Sequence, residues 1–196
     1  KNRIEAGIAY PVGSTLDPVF DAINAAGKGS DAKSAAPILN SLGLGLEYTI
    51  PGVSLPGDTR PRVTTAAYHP KDYTASMLSM AALGVAMERS AEGKDSAVAP
   101  SVIKGAESKV SGGDFGKFDD DVVREIRKTM ATIAKTGDAS DIKGAPGLRA
   151  LVGTNGPQGP GWFVGSQGGK VIVIYTEGDR SGTAALQVLQ KYFRIK

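Results

Sequence analysis

Three short segments near the C-terminal end constrain the fold more than any other part of the sequence: Leu148 to Thr154, Gly161 to Ser166 and Lys170 to Glu177. Each is rich in Val, Ile, Trp, Phe or Tyr, which suit a pleated surface, and glycine-containing turns separate them. Strands joined by connections this short pair antiparallel. Four stretches with helical spacing precede this meander and one follows it, so helices must cover the apolar faces of the sheet. The expected class is α+β, with helices packed on an antiparallel sheet.

The helices have local signals. Val19, Phe20 and Ile23 recur at helical spacing between Ser14 and Ala26, and Gly27-Lys28-Gly29 ends that run. Ser30 or Asp31 caps a second helix, which Gly43 stops after Leu42. Between residues 72 and 92, Met77, Leu78, Ala81, Ala82, Val85 and Ala86 form one stripe. Asp119-Asp120-Asp121 opens a helix that runs to Lys135, with its acids at the positive end of the dipole. Ser181 to Phe193 closes the chain, with Ala185, Leu186, Leu189 and Phe193 at core spacing. Residues 1–13 are expected to be an irregular lead-in, and 43–71 and 93–117 to be loops. Trp162, Met77, Met80 and Met87 are core candidates.

Composition removes several function classes. A chain of 196 residues fits a single domain spanning 1–196, and 41% hydrophobic with 22% charged residues is ordinary for a globular protein. The net charge of +3 comes without a dense basic stripe, so nucleic acid is not an expected partner. No apolar run is long enough to cross a bilayer. With no cysteine and one histidine, His69, there is no thiolate chemistry and no site needing two imidazoles. Neither a metal nor a cofactor is expected. Lys1-Asn2-Arg3 opens without a signal sequence and leads at once into a motif, the expectation being the C-terminal part of a longer chain.

That motif is Tyr10-Pro11-Val12-Gly13-Ser14-Thr15-Leu16-Asp17-Pro18. Ser14 and Asp17 fit the S-x-x-D pattern of a helix start. Alternatively, Asp17 caps a helix with Pro18 at its first position. A catalytic Ser14–Asp17 pair is the third reading. Aspartate, with an unperturbed pKa of about 3.9, would be a weak base for it.

The string resembles Y-P-P-G-S-x-x-K-P, the nucleophile motif of the penicillin-binding transpeptidases, and three further segments are similar to that family in the same order. Ser76-Met77-Leu78-Ser79-Met80-Ala81 resembles T-P-L-Q-M-A, and Val98 to Lys104 follows it as v-x-P-x-v-v-K does. Val122 to Met130 with Thr136-Gly137-Asp138-Ala139 resembles the helix and turn ending in eGTA. Gly161-Trp162-Phe163-Val164-Gly165, Lys170 to Glu177 and Gly182 to Ala185 resemble the W-F-V-G strand, the last strand and the final helix.

The resemblance implies a truncated transpeptidase-like fold in which Ser14 is a vestigial nucleophile and Asp17 stands in place of the lysine base. Leu151, Gly153 and Thr154 would be the vestigial K-T-G strand of the substrate site, with leucine where the second lysine belongs. The S-x-N motif has no counterpart. Main-chain N–H groups of Ser14 and Thr154 would form what remains of the oxyanion hole. The implied function is a catalytically degenerate module that binds or scaffolds in peptidoglycan assembly. Its location would be extracytoplasmic at the cell envelope, with membrane attachment only through an upstream segment and cell-wall synthesis proteins as partners. The alternative is a divergent D,D-transpeptidase or carboxypeptidase acylated on Ser14. A third possibility, a domain that shares only the order of elements, would leave Ser14 far from Thr154. The apolar strand 170–176 is expected to lie at a sheet edge covered by another segment, a partner or a second copy.

Overall fold

The computed structural model describes residues 5–53, 70–154, 160–177 and 181–195. Among them the fold is α+β, with five α-helices and three small antiparallel sheets. The largest sheet is the expected meander: β5 (Arg149–Thr154), β6 (Gly161–Gln167) and β7 (Lys170–Thr176), paired in that order. Gly168 and Gly169, at φ 59° and 74°, make the two-residue turn between β6 and β7, a conformation that suits glycine.

Alternation along these strands divides the core between two faces. Leu151, Trp162, Val164, Val173 and Tyr175 join the larger cluster on one face. Ala150, Phe163, Ile172 and Ile174 meet Ala185, Leu189 and Phe193 of α5 (Ser181–Ile195) on the other. The first face is covered by α3 (Met77–Ala91) on β6 and β7. Beside it, α1 (Asp17–Ala25) packs on α4 (Asp120–Lys135), which flanks β5. The remaining helix, α2 (Ala32–Ser41), buries Ala35, Ile38 and Leu39 in the same cluster.

The caps of α2 and α4 follow the sequence signals. Asp31 accepts a hydrogen bond from Ser34 N–H at 2.8 Å, and Asp119 accepts one from Val122 N–H at 3.1 Å. Three expectations are corrected. Helix α1 starts at Asp17 rather than Ser14; its N-cap is Leu16, with no side-chain cap, and Pro18 lies in its first turn. The stripe expected on α3 is displaced. Ser79, Met80, Leu83, Gly84 and Met87 are buried along with Ala82 and Ala86, while Met77, Leu78, Ala81 and Val85 are half-buried. This helix is enclosed on several sides, so a one-faced reading misplaces its burial.

The third correction concerns short strands: three lie in segments read as irregular, and one, at 74–76, lies in the stretch 72–92 read as helical. β1 (Ala9–Pro11) pairs with β3 (Thr74–Ser76), and β2 (Glu47–Thr49) pairs with β4 (Lys109–Ser111). Strands of three residues are too short to carry a visible period. His69 lies outside the described residues.

Candidate functional site

The lead-in is fixed before it reaches Ser14. Tyr10 stacks on Tyr175 with ring centroids 4.4 Å apart, and Trp162, fully buried, packs on the same Tyr175 at 4.7 Å. Trp162 Nε1–H donates to the Pro11 carbonyl at 2.8 Å, and Val12 N–H donates to the Tyr73 carbonyl at 3.0 Å. Burial, and then the hydrogen bond to the Glu177 carboxylate, push the Tyr175 hydroxyl well above the ordinary tyrosine pKa. It is a neutral donor at physiological pH.

These ties deliver Ser14 to the outer edge of β5. Ser14 N–H donates to the Thr154 carbonyl at 3.2 Å, and Thr154 N–H donates to Ser14 Oγ at 3.2 Å. The Ser14 hydroxyl also reaches the Thr154 carbonyl, at 3.4 Å. Serine and threonine, 140 positions apart in sequence, therefore share one small cyclic arrangement. The two N–H groups expected to cradle an oxyanion are already donating to each other's residue. A ligand carbonyl must displace both bonds before it can enter.

Gly153 makes this approach possible. A Cβ at that position would stand 2.2 Å from Thr15 N and 2.4 Å from Thr15 Cα, contacts no side chain can make. Thr15 is fully buried, and among the described residues its Oγ1 has no hydrogen-bond partner. Sequence reasoning passed over Thr15, whose burial depends on the strand beneath it.

The other candidates stand apart from the hydroxyl. Leu151 is fully buried in the larger core cluster and presents nothing to a ligand. Asp17 lies in the first turn of α1 and lines a cleft of about 730 Å³ between α1 and α4, together with Asp21, Lys28, Asp119, Asp121 and Glu125. Its main-chain N–H donates to the Ser14 carbonyl at 3.1 Å, while the hydroxyl of Ser14 bonds only to Thr154 among the described residues. The S-x-x-D cap is thus not formed, because the serine oxygen is engaged across the sheet edge.

In the acidic cleft, Lys28 Nζ pairs with Asp119 at 3.1 Å. The Val122 N–H bond, with Lys28 adding to it, holds the Asp119 carboxyl below the usual carboxylate pKa. Among the described residues, no group of three or more His, Cys, Asp or Glu side chains is placed to hold a metal ion. None of the described helices is long and apolar enough to cross a membrane. No family model matches the chain, and no curated protein sequence matches it.

Proposed function

We propose that this chain is a catalytically degenerate relative of the penicillin-binding transpeptidases, acting as a binding or scaffolding module in cell-wall assembly. The observation that carries the reading is the junction of Ser14 with Thr154. The resemblance requires the serine string and the threonine after the K-T-G position to meet, although they are remote in sequence. They do meet, which argues against a domain that merely shares the order of elements.

The same junction supports the loss of chemistry. A serine hydroxyl attacks a carbonyl only when a neighbour takes its proton. Among the described residues Ser14 Oγ hydrogen-bonds to main chain alone, and neither lysine of the family's motifs is present. Asp17 would be a weak base, and the two main-chain donors are occupied. On this reading the protein works outside the cytoplasm, at the cell envelope, and its partners are cell-wall synthesis proteins.

Exposure to a reactive β-lactam followed by intact-mass measurement tests the catalytic part. The expected outcome is an unchanged mass for the wild type and for Ser14→Ala. A stoichiometric adduct on the wild type that Ser14→Ala abolishes would establish instead a divergent D,D-transpeptidase or carboxypeptidase. In-cell crosslinking tests the scaffolding part: capture of cell-wall synthesis proteins supports it, and capture of cytosolic proteins alone overturns it.

A further inference from the structure

The turn at Ser14 is anchored on both sides and loose between. Val12, Thr15 and Leu16 are fully buried. Trp162 holds the Pro11 carbonyl, the Tyr73 carbonyl holds the Val12 N–H, and Thr15 N–H donates back to the Val12 carbonyl at 3.1 Å. Between these anchors Gly13 is half-buried and Ser14 is exposed. Gly13 sits at φ 53°, a conformation that glycine leaves and re-enters at little cost. Two residues can therefore swing while the chain on either side stays in the core.

Two effects of opposite sign act on this pair. Closing the turn on β5 forms the bonds from Ser14 N–H and Thr154 N–H, each 3.2 Å long and at an exposed serine. Each contributes only the modest net gain of a bond that water can replace. Closing also seals the hydroxyl of the next residue, Thr15. Its Oγ1 lies against Gly153, where a Cβ would stand 2.5 Å from it. The residue is fully buried, and among the described residues this oxygen has no hydrogen-bond partner. A hydroxyl so placed carries its full desolvation cost, which is of the same size as the gain from one or two such bonds. When Gly13 and Ser14 lift away from Thr154, water reaches the Thr15 hydroxyl and that cost disappears.

We infer that the Ser14–Thr154 junction is a poised latch, which opens in the folded protein by release of Gly13 and Ser14 and whose balance is set by the unpartnered hydroxyl of Thr15. The open state presents the Thr154 N–H and C=O at the outer edge of β5, so access to that edge is gated from within the chain. Opening supplies no base for the Ser14 hydroxyl. The latch is a property of the fold and stands apart from the function proposed above, since none of its parts depends on what the edge receives.

Native-state amide exchange of the full chain, read by NMR, tests the inference. Thr154 N–H should be protected by less than about a hundredfold, at a rate that low urea does not change, because a local opening exposes little surface. Val164, fully buried at the centre of the sheet, should be protected by more than about a thousandfold and respond steeply to urea. Equal protection and equal urea dependence at the two amides would mean that the junction opens only with the whole protein, and would overturn the latch. So would a Thr154 amide with no protection, since no closed state would then form. Thr15→Val keeps the shape and removes the hydroxyl, so Thr154 protection should rise about tenfold. An unchanged Thr154 amide in that variant, whatever happens at Val164, overturns the role of Thr15. Ser14→Ala, at an exposed position, probes the latch without touching the core. It deprives Thr154 N–H of its acceptor, and protection there should fall about tenfold. An unaltered rate would show that the serine oxygen does not hold the latch and would overturn it.

Discussion

The two edges of one three-stranded sheet end in opposite ways. At β5 the edge is closed from within, where Ser14 N–H donates to the Thr154 carbonyl and Thr154 N–H donates to the Ser14 hydroxyl, over a glycine. At β7 the edge carries alternating Val and Ile, and only β6 pairs with it among the described residues. The comparison shows where specificity lies. Closure at β5 depends on backbone geometry, on the Ser14 hydroxyl and on the absence of one Cβ. The rim of β7 is instead set by side chains, since Val171 through Ile174 are half-buried on its two faces.

The residue common to both edges gives the largest expected effect. Trp162 holds the lead-in to Pro11 on one side and packs on Tyr175 of β7 on the other. Trp162→Ala should lower stability by about 4 kcal/mol, through a large cavity and a lost hydrogen bond. Urea denaturation measures it, and a loss near 1 kcal/mol would mean that the lead-in is held elsewhere.

A pair of glycine substitutions separates the edges directly. In Gly153→Ala the new methyl meets Thr15 main chain, which cannot yield, and about 3 kcal/mol of destabilisation is expected. In Gly84→Ala the new methyl meets Val171 Cγ1 at 2.5 Å, a side-chain methyl rather than main chain. There a helix-propensity gain of about 1 kcal/mol offsets the crowding. Gly84→Ala should therefore change stability by less than about 1 kcal/mol, the smallest effect of the series. Equal losses for the two variants would break the contrast.

Between these extremes lies Asp119, which caps α4 and ties it to Lys28 just beyond α1, behind the closed edge. Asp119→Ala should cost about 1 kcal/mol at neutral pH. Its carboxyl pKa is depressed in the folded state. The stabilisation is therefore present above the unfolded value of about 3.9 and is lost as pH falls through the lowered folded value. In the variant the acid limb of the stability profile should be flatter in that window. An identical limb in wild type and variant would show that the cap does not couple to protonation.

Local signals were legible wherever the chain acts locally. Asp31 and Asp119 cap the helices that their spacing announces, and the three strands of the meander lie within a residue or two of their expected limits. The misreadings have a common origin in distant contacts. Ser14 fails to cap α1 because its oxygen serves a residue 140 positions away. The stripe on α3 moves because several neighbours enclose that helix. Leu151 was expected at a substrate site, and its side chain is in the core. The cleft lined by Asp17, Asp21, Asp119, Asp121 and Glu125 had no sequence signature, since it forms only when α1 packs on α4.

By itself the sequence determined the α+β class, the antiparallel meander, two helix caps and the absence of thiol chemistry. Hydrophobic period, turn glycines and capping carboxylates act over a few residues, so they can be read without a partner. The resemblance implies Ser14 beside Thr154 and strand 170–176 at a sheet edge; only the tertiary structure decided that both N–H donors would be engaged at that junction and that Leu151 would be enclosed in the core. Those outcomes depend on which backbones come within bonding distance, and that follows from packing the whole core, with Gly153 and Trp162 setting the approach.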